Sequence, residues 1–399
     1  MFTSYQRLLG IPGAFRFSIS GFVARMPISM DSLALIFIVY HASHSYALAG
    51  ALAAVGEMVV MIALPFWARM ADRFGQSRTL AMVIPARAIF LIIFVLLLSF
   101  HAPTWTWFVS IITVEASVIN AGGLVRRRWG WVLKDDRDLL NTAYSYEGLM
   151  DEFIFIFGPV IATLCATLIA PASALLIGLV FMVVGATVFA FQKDSEPPPH
   201  PRDEEKPHPA VLRNRAIQAV MLPVVFLGAF FSAVGLVVVA FAQEHDAVSR
   251  TGLLLAAWAL GSAIAAFVNG SIKWKKNNAQ RFWIFLLALT LLSLPFLFVT
   301  NFTFLIIALF FNGFSIAPLM VSAYGVAESV VPQEQVTETL AWVFIALPIG
   351  GAIASALSGW VIDNYGARTG LVIPFASLTC ALITLLPYFR TWNRLRSAS

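Results

Sequence analysis

Apolar runs of about twenty residues, separated by short polar turns, follow one another from Phe15 to Tyr388. Each run is continuous, without the alternation of a half-buried strand, and is long enough for a helix to cross a bilayer. The pattern predicts twelve spans: Phe15–His41, Tyr46–Met70, Thr79–Phe100, Thr104–Val125, Leu139–Ala170, Ala172–Phe191, Ala216–Ala242, Thr251–Ile272, Phe282–Val299, Phe302–Ala327, Thr339–Ile362 and Thr369–Tyr388. The fifth has a polar start. The first carries Arg25 and Asp31 and lacks a small-residue cleavage site, so it reads as a span and not as a removable leader. Short turns make consecutive helices antiparallel neighbours.

Only helices and closed barrels satisfy their backbone hydrogen bonds inside hydrocarbon, and unbroken apolar runs suit helices. Composition agrees, with 59% hydrophobic and 12% charged residues, against about 25% charged in a soluble domain. The stretch from Lys193 to Arg213 holds six prolines among alternating charges. It predicts an extended, solvated linker, in which His200 and His208 are solvated side chains. The fold expected is all-α integral membrane, two six-helix bundles with pseudo-two-fold symmetry: residues 1–192, a linker at 193–213, and residues 214–399.

The formal charge of +5 changes meaning once it is mapped. Twenty-two of the 26 Lys and Arg residues fall in the termini and in alternate loops, while only Arg250 and Arg368 fall on the opposite side. That asymmetry is the positive-inside pattern. It places both termini in the cytoplasm of a multi-pass plasma-membrane protein, in a bacterium the inner membrane. It also explains the basic excess without a nucleic-acid partner. Cys165 and Cys380 lie within apolar runs and suggest neither a disulfide framework nor a metal site. The outer-turn residues His41 and His44 read as interfacial.

After the second span the chain reads Ala68-Arg-Met-Ala-Asp72-Arg73-Phe-Gly75-Gln-Ser-Arg78. With six spans on each side of a linker, this string resembles the loop motif of the major facilitator superfamily, G-x-x-x-D-R-x-G with trailing basic residues. Asp72, Arg73, Gly75 and Arg78 match, and Ala68 replaces the first glycine. The resemblance implies a gating loop at these residues. The second half keeps only basic charge at the equivalent place, in Lys273, Lys275 and Lys276; a similar string, Gly359 to Arg368, follows the eleventh span and reads as a turn with a capping Asp363. Gly158-Pro159-Val-Ile-Ala162 resembles part of the antiporter motif of the family, with Gly158 and Pro159 as a hinge in helix five. Helix four carries Glu115 where a basic residue is usual, a departure from the drug-antiporter pattern. The string from Tyr146 to Pro159, preceded by Arg126-Arg127-Arg128-Trp129, resembles a group of actinobacterial facilitators of unassigned substrate.

Ionisable side chains at bilayer depth cost at least about 2.5–3.5 kcal/mol each and usually carry function. The first half places Arg25, Asp31, Glu57, Arg87, Glu115, Asp151 and Glu152 within its spans. Facilitators line their cavity with helices one and four, and more shallowly two and five. The resemblance therefore assigns these residues to proton coupling or the substrate cavity. Helical spacing puts Ser18, Arg25, Ser29 and Ser32 on one face, and Glu115, Ile119, Gly122 and Arg126 on another. We expect Arg25 to pair with Glu115 or Glu57, and Asp31 to face another helix. Glu147 and Asp151 share a face and are expected to meet Arg126–Arg128. Glu115 leads as the proton carrier and Asp151 follows. In the aromatic second half, Asn269 and Asn312 are the candidate substrate contacts.

These readings lead to a secondary transporter working by alternating access, with proton-coupled export of a small organic molecule favoured over uptake symport and lipid flipping. A polytopic enzyme fits poorly, because the buried charges lie at mid-depth and the outer loops are short. Expected partners are a small-molecule substrate, protons and the bilayer. A monomer without cofactor is expected, and nucleotide-binding motifs are absent from the sequence.

Overall fold

A computed structural model describes residues 7–8, 10–199, 214–272, 274–331, 336–388 and 392. Most of the expected linker, including His200 and His208, lies outside the described residues, as do Lys273 and Arg390, Arg394 and Arg396 of the tail. The described residues are helical, without a strand. In chain order the helices are α1 (Ala14–Arg25), α2 (Pro27–Ser43), α3 (Tyr46–Phe74), α4 (Gln76–Ser99), α5 (Thr104–Ala116), α6 (Ala121–Val132), α7 (Arg137–Leu168) and α8 (Ser173–Phe191). The second half contributes α9 (Arg215–Glu244), α10 (Thr251–Ser271), α11 (Asn278–Ser293), α12 (Phe302–Gly313), α13 (Ile316–Ser329), α14 (Val336–Gly370) and α15 (Val372–Ile383).

Several predicted spans are broken helices. The first is α1 joined to α2 at Met26-Pro27, because Pro27 has no N–H to continue the hydrogen-bond ladder. The fourth breaks between Ser117 and Asn120; the Asn120 side chain then caps α6 by accepting the Gly123 N–H at 2.9 Å. The tenth breaks at Phe314-Ser315. With such pairs joined, 11 stretches among the described residues are long and apolar enough to cross a membrane, and Val372–Ile383 is a shorter twelfth. This is a multi-pass membrane protein.

The chain forms two compact units: Met1–Ala42 with Val59–Glu204, and Ser43–Met58 with Glu205–Ser399. The first half of α3 thus belongs to the second unit. Within the first unit α1 packs on α8, where a Cβ on Gly185 would overlap backbone atoms of Ser20 and Ala24. Within the second, a Cβ on Gly228 would strike the Leu347 carbonyl and one on Gly350 the Val225 carbonyl, so α9 and α14 touch backbone to backbone. Small residues at such crossings let helices approach closely where no hydrophobic effect drives them together. Large apolar side chains such as Ile62, Leu168 and Phe191 are exposed, as contact with lipid tails requires.

The start of the linker is not a free solvated chain. Ser195 and Pro197 are buried, and residues Lys193–Ser195 form one 3-10 turn. The Gln192 amide donates to the Ser20 hydroxyl at 3.1 Å. Polar side chains from α4 and α6 give this segment partners that its composition does not reveal.

Candidate functional site

The first unit builds two clusters of buried charge, each around one arginine. Arg25 ends α1, where the chain breaks before Pro27, and it is 1% exposed. Its guanidinium donates to Asp151 Oδ1 at 2.7 Å and to Glu147 Oε2. Arg126 reaches the other oxygen of Asp151 at 2.6 Å. Glu147 is fully buried and also accepts from the Ser18 hydroxyl at 2.6 Å and the Trp129 indole N–H at 2.8 Å. Two arginines thus meet two carboxylates, and the cluster is neutral. Its hydrogen bonds satisfy the carboxylates, as buried charge requires.

The second cluster centres on Arg87 of α4. It donates to Asp31 Oδ2 of α2 at 2.8 Å and to the Val114 carbonyl at 3.0 Å, and lies 3.6 Å from Glu115 Oε2 of α5. Asp31 Oδ1 is buried without a hydrogen-bond partner among the described residues. Here two carboxylates share one guanidinium, so with both ionised one negative charge is left uncompensated.

These positions correct the expected pairing. Arg25 does not meet Glu115; it meets Glu147 and Asp151. The reason is the break at Ser117–Asn120, which ends the helical face joining Glu115 to Arg126. Glu115 therefore turns to Arg87 and Arg126 to Asp151. Asp31 faces another helix, as its angle from Arg25 predicts. Ser18, Arg25 and Ser29 keep their common face onto α7, with Ser29 donating to the Ile154 carbonyl at 2.7 Å. Ser32 is exposed. Arg128 leaves the expected acidic pair and donates to Gln76 Oε1 at 2.9 Å and to the Gln192 carbonyl at 2.8 Å. Glu147 is the main residue that spacing undervalues: it reads as a surface partner of Arg126–Arg128, although Trp129 nearby signals a buried N–H in need of an acceptor.

Glu57 lies in the second unit. Its Oε1 accepts from the Ser232 hydroxyl at 3.0 Å, its Oε2 is buried without a hydrogen-bond partner among the described residues, and a Cβ on Gly351 would overlap that oxygen. Glu152, next to Asp151, is half-buried and makes no hydrogen bond or ion pair with the described residues. Gly158 in α7 abuts Ser29, and Pro159 follows inside the helix.

The loop motif is locally ordered. Asp72 forms an ion pair with Arg127. Arg73 lies over the Phe74 ring at 5.2 Å. Gly75 adopts φ +92°, ψ 155°, a conformation essentially confined to glycine. Glu196 then caps α4, accepting the Ser77 N–H at 2.8 Å and the Ser77 hydroxyl. No partner of the Arg78 side chain stands among the described residues.

Asn312 and Asn269 are both engaged within the second unit. Asn312 accepts from the Trp258 indole at 3.0 Å and donates to the Leu289 carbonyl at 3.3 Å. Asn269 accepts from Trp274 at 3.0 Å and from Arg281 at 2.9 Å. Both hold helices together in this state.

Solved structures of several transporters share this fold. The nucleoside transporter NupG superposes with a TM-score of 0.73 at 12% identity, covering 94% of this chain and 98% of that one. The peptide transporter POT, in complex with sulfate, gives 0.71 at 14% identity, covering 98% and 99%. A POT family transporter in complex with 5-aminolevulinic acid gives 0.71 at 13%, covering 95% and 97%. The family model described as Major Facilitator Superfamily matches residues 221–397. The chain has the major facilitator fold. The family model covers the second half, whereas the loop motif lies in the first, so the facilitator resemblance rests on both halves. No curated protein matches the sequence.

Proposed function

We propose that this facilitator-fold protein is a proton-coupled secondary transporter that exports a small organic molecule by alternating access. The observation that carries this reading is the Arg87 cluster, where Asp31 and Glu115 face a single guanidinium. A surplus negative charge inside a bilayer calls for a bound cation, and a proton shared by the two carboxyl groups removes it. When α2, α4 and α5 shift relative to one another, the Arg87–Glu115 distance changes and the proton is bound or released. The neutral Arg25 cluster has no such surplus and serves to hold α1, α6 and α7 together. Glu57, which accepts from Ser232 and has no ion-pair partner among the described residues, is the second carboxyl able to take up a proton. Gly158 and Pro159 supply the weak point in α7 on which export in preference to uptake is based.

The test uses purified full-length protein in weakly buffered detergent, with proton release read by a pH dye while uridine, a dipeptide and a panel of organic cations are added. Release on addition of one compound, abolished in Glu115→Gln and retained in Asp151→Asn, is expected. Proton uptake in place of release would convert the reading to symport. Release that survives Glu115→Gln and Asp31→Asn alike would remove the Arg87 cluster from coupling.

A further inference from the structure

The loop between α10 and α11 carries basic charge that no acidic side chain matches among the described residues. Arg281, in the first turn of α11, donates to Asn269 Oδ1 at 2.9 Å and reaches Asn278 Oδ1 at 3.4 Å. Its guanidinium lies over the Trp274 ring at 5.0 Å, and its Nε is buried without an acceptor among the described residues. The Trp274 indole donates to the same Asn269 oxygen. Two donors therefore share one neutral amide, and among the described residues no carboxylate pairs with Arg281. Lys275 and Lys276 are exposed and likewise have no acidic partner there. The first unit differs: Arg126 is neutralised by Asp151 and Arg127 by Asp72.

We propose that this cluster binds the phosphodiester headgroup of an acidic phospholipid. An arginine fork with spare N–H donors matches the two free oxygens of a phosphodiester, and flanking lysines supply further charge. Trp274 lies against the guanidinium, and an indole favours the headgroup depth of the bilayer. A lipid is chosen over a soluble phosphate because the same helix end exposes apolar surface for an acyl chain: Phe267 is 71% exposed, Val268 47% and Ile272 45%. Asn269 positions the fork by accepting from both Arg281 and Trp274. The site lies within the second unit and does not depend on what the protein transports.

The test is native mass spectrometry of the full chain in detergent, titrated with phosphatidylglycerol, phosphatidylcholine or inorganic phosphate. Phosphatidylglycerol is expected to bind in preference to phosphatidylcholine. Arg281→Gln is expected to weaken it about fivefold, and Lys275→Gln/Lys276→Gln, confined to exposed side chains, by a similar factor or more. Arg281→Lys should keep part of the affinity, since charge remains and the fork is lost. Equal binding of the two lipids, or unchanged phosphatidylglycerol affinity in both the Arg281→Gln and the double lysine variant, would overturn the proposal. Displacement of phosphatidylglycerol by millimolar inorganic phosphate would overturn the choice of a lipid.

Discussion

The Asp363 carboxylate, near the end of α14, caps the helix that begins at Tyr46. It accepts the Tyr46 and Ala47 N–H groups at 2.8 Å each and the Ser45 hydroxyl at 2.6 Å. Sequence suggests a cap for its own turn; the side chain instead serves the start of α3, 317 residues away in the chain from Tyr46. Small residues permit the approach, since a Cβ on Gly359 would overlap the Tyr46 carbonyl and one on Gly50 the Ser355 carbonyl. A carboxylate at a helix N-terminus satisfies orphan donors and complements the helix dipole. Asp363→Ala is expected to destabilise by about 1–2 kcal/mol, measured as a lowered unfolding midpoint in detergent. Asp363→Asn should retain part of the loss, because the amide oxygen still accepts.

Breaking the Arg25 cluster should be far more damaging. Removing one partner of a buried pair leaves the other charge uncompensated, at about 3–5 kcal/mol. Glu147→Ala also strands the Ser18 hydroxyl and the Trp129 indole. We expect Glu147→Ala and Arg25→Ala each to reduce the yield of folded protein sharply, read by size-exclusion chromatography. Arg25→Met combined with Glu147→Leu should be less harmful than the sum of the two singles, because an apolar pair leaves no unmatched charge.

The Arg87 cluster should respond in the opposite sense. Glu115→Gln or Asp31→Asn leaves one acid for one base, so either single change should keep or raise thermal stability while altering proton exchange. Asp31→Asn/Glu115→Gln leaves Arg87 without a counter-charge and should destabilise well beyond the sum of the singles. A thermal-shift series on the four proteins decides the matter. Additive losses from both singles would mean that two acids per arginine is a structural arrangement.

Much of this was legible in the sequence, and the failures have physical causes. Continuous apolar runs mark the spans because the bilayer excludes other solutions. The glycine of the loop motif is legible because only that residue suits the backbone of Gly75. What periodicity misses is phase across a break: the face from Glu115 to Arg126 is real only if the helix continues, and Ser117–Asn120 interrupts it. Spacing undervalues Glu147 because its burial depends on α1, whose Ser18 lies 129 residues away in the chain. The order of residues 192–199 was hidden for a similar reason. A proline- and charge-rich string looks solvated until Ser77 and Arg128 supply partners for its polar groups.

The turn at Gly75 gives the last prediction. Its φ of +92° strains any residue with a Cβ, and a Cβ there would stand 3.0 Å from Glu196 Oε1, the atom that accepts the Ser77 N–H. Gly75→Ala therefore acts twice, on the backbone and on the cap of α4. Backbone strain of this kind is about 1–3 kcal/mol, and loss of a cap adds about 1 kcal/mol. Glu196→Ala removes the cap alone and should show only the smaller loss. Because both changes act through one cap, the double variant should fall short of the sum of the singles. Unfolding midpoints of the three variants measure this directly. Strict additivity would show that the Glu196 cap survives in Gly75→Ala, and the turn and the linker start would then be independent features.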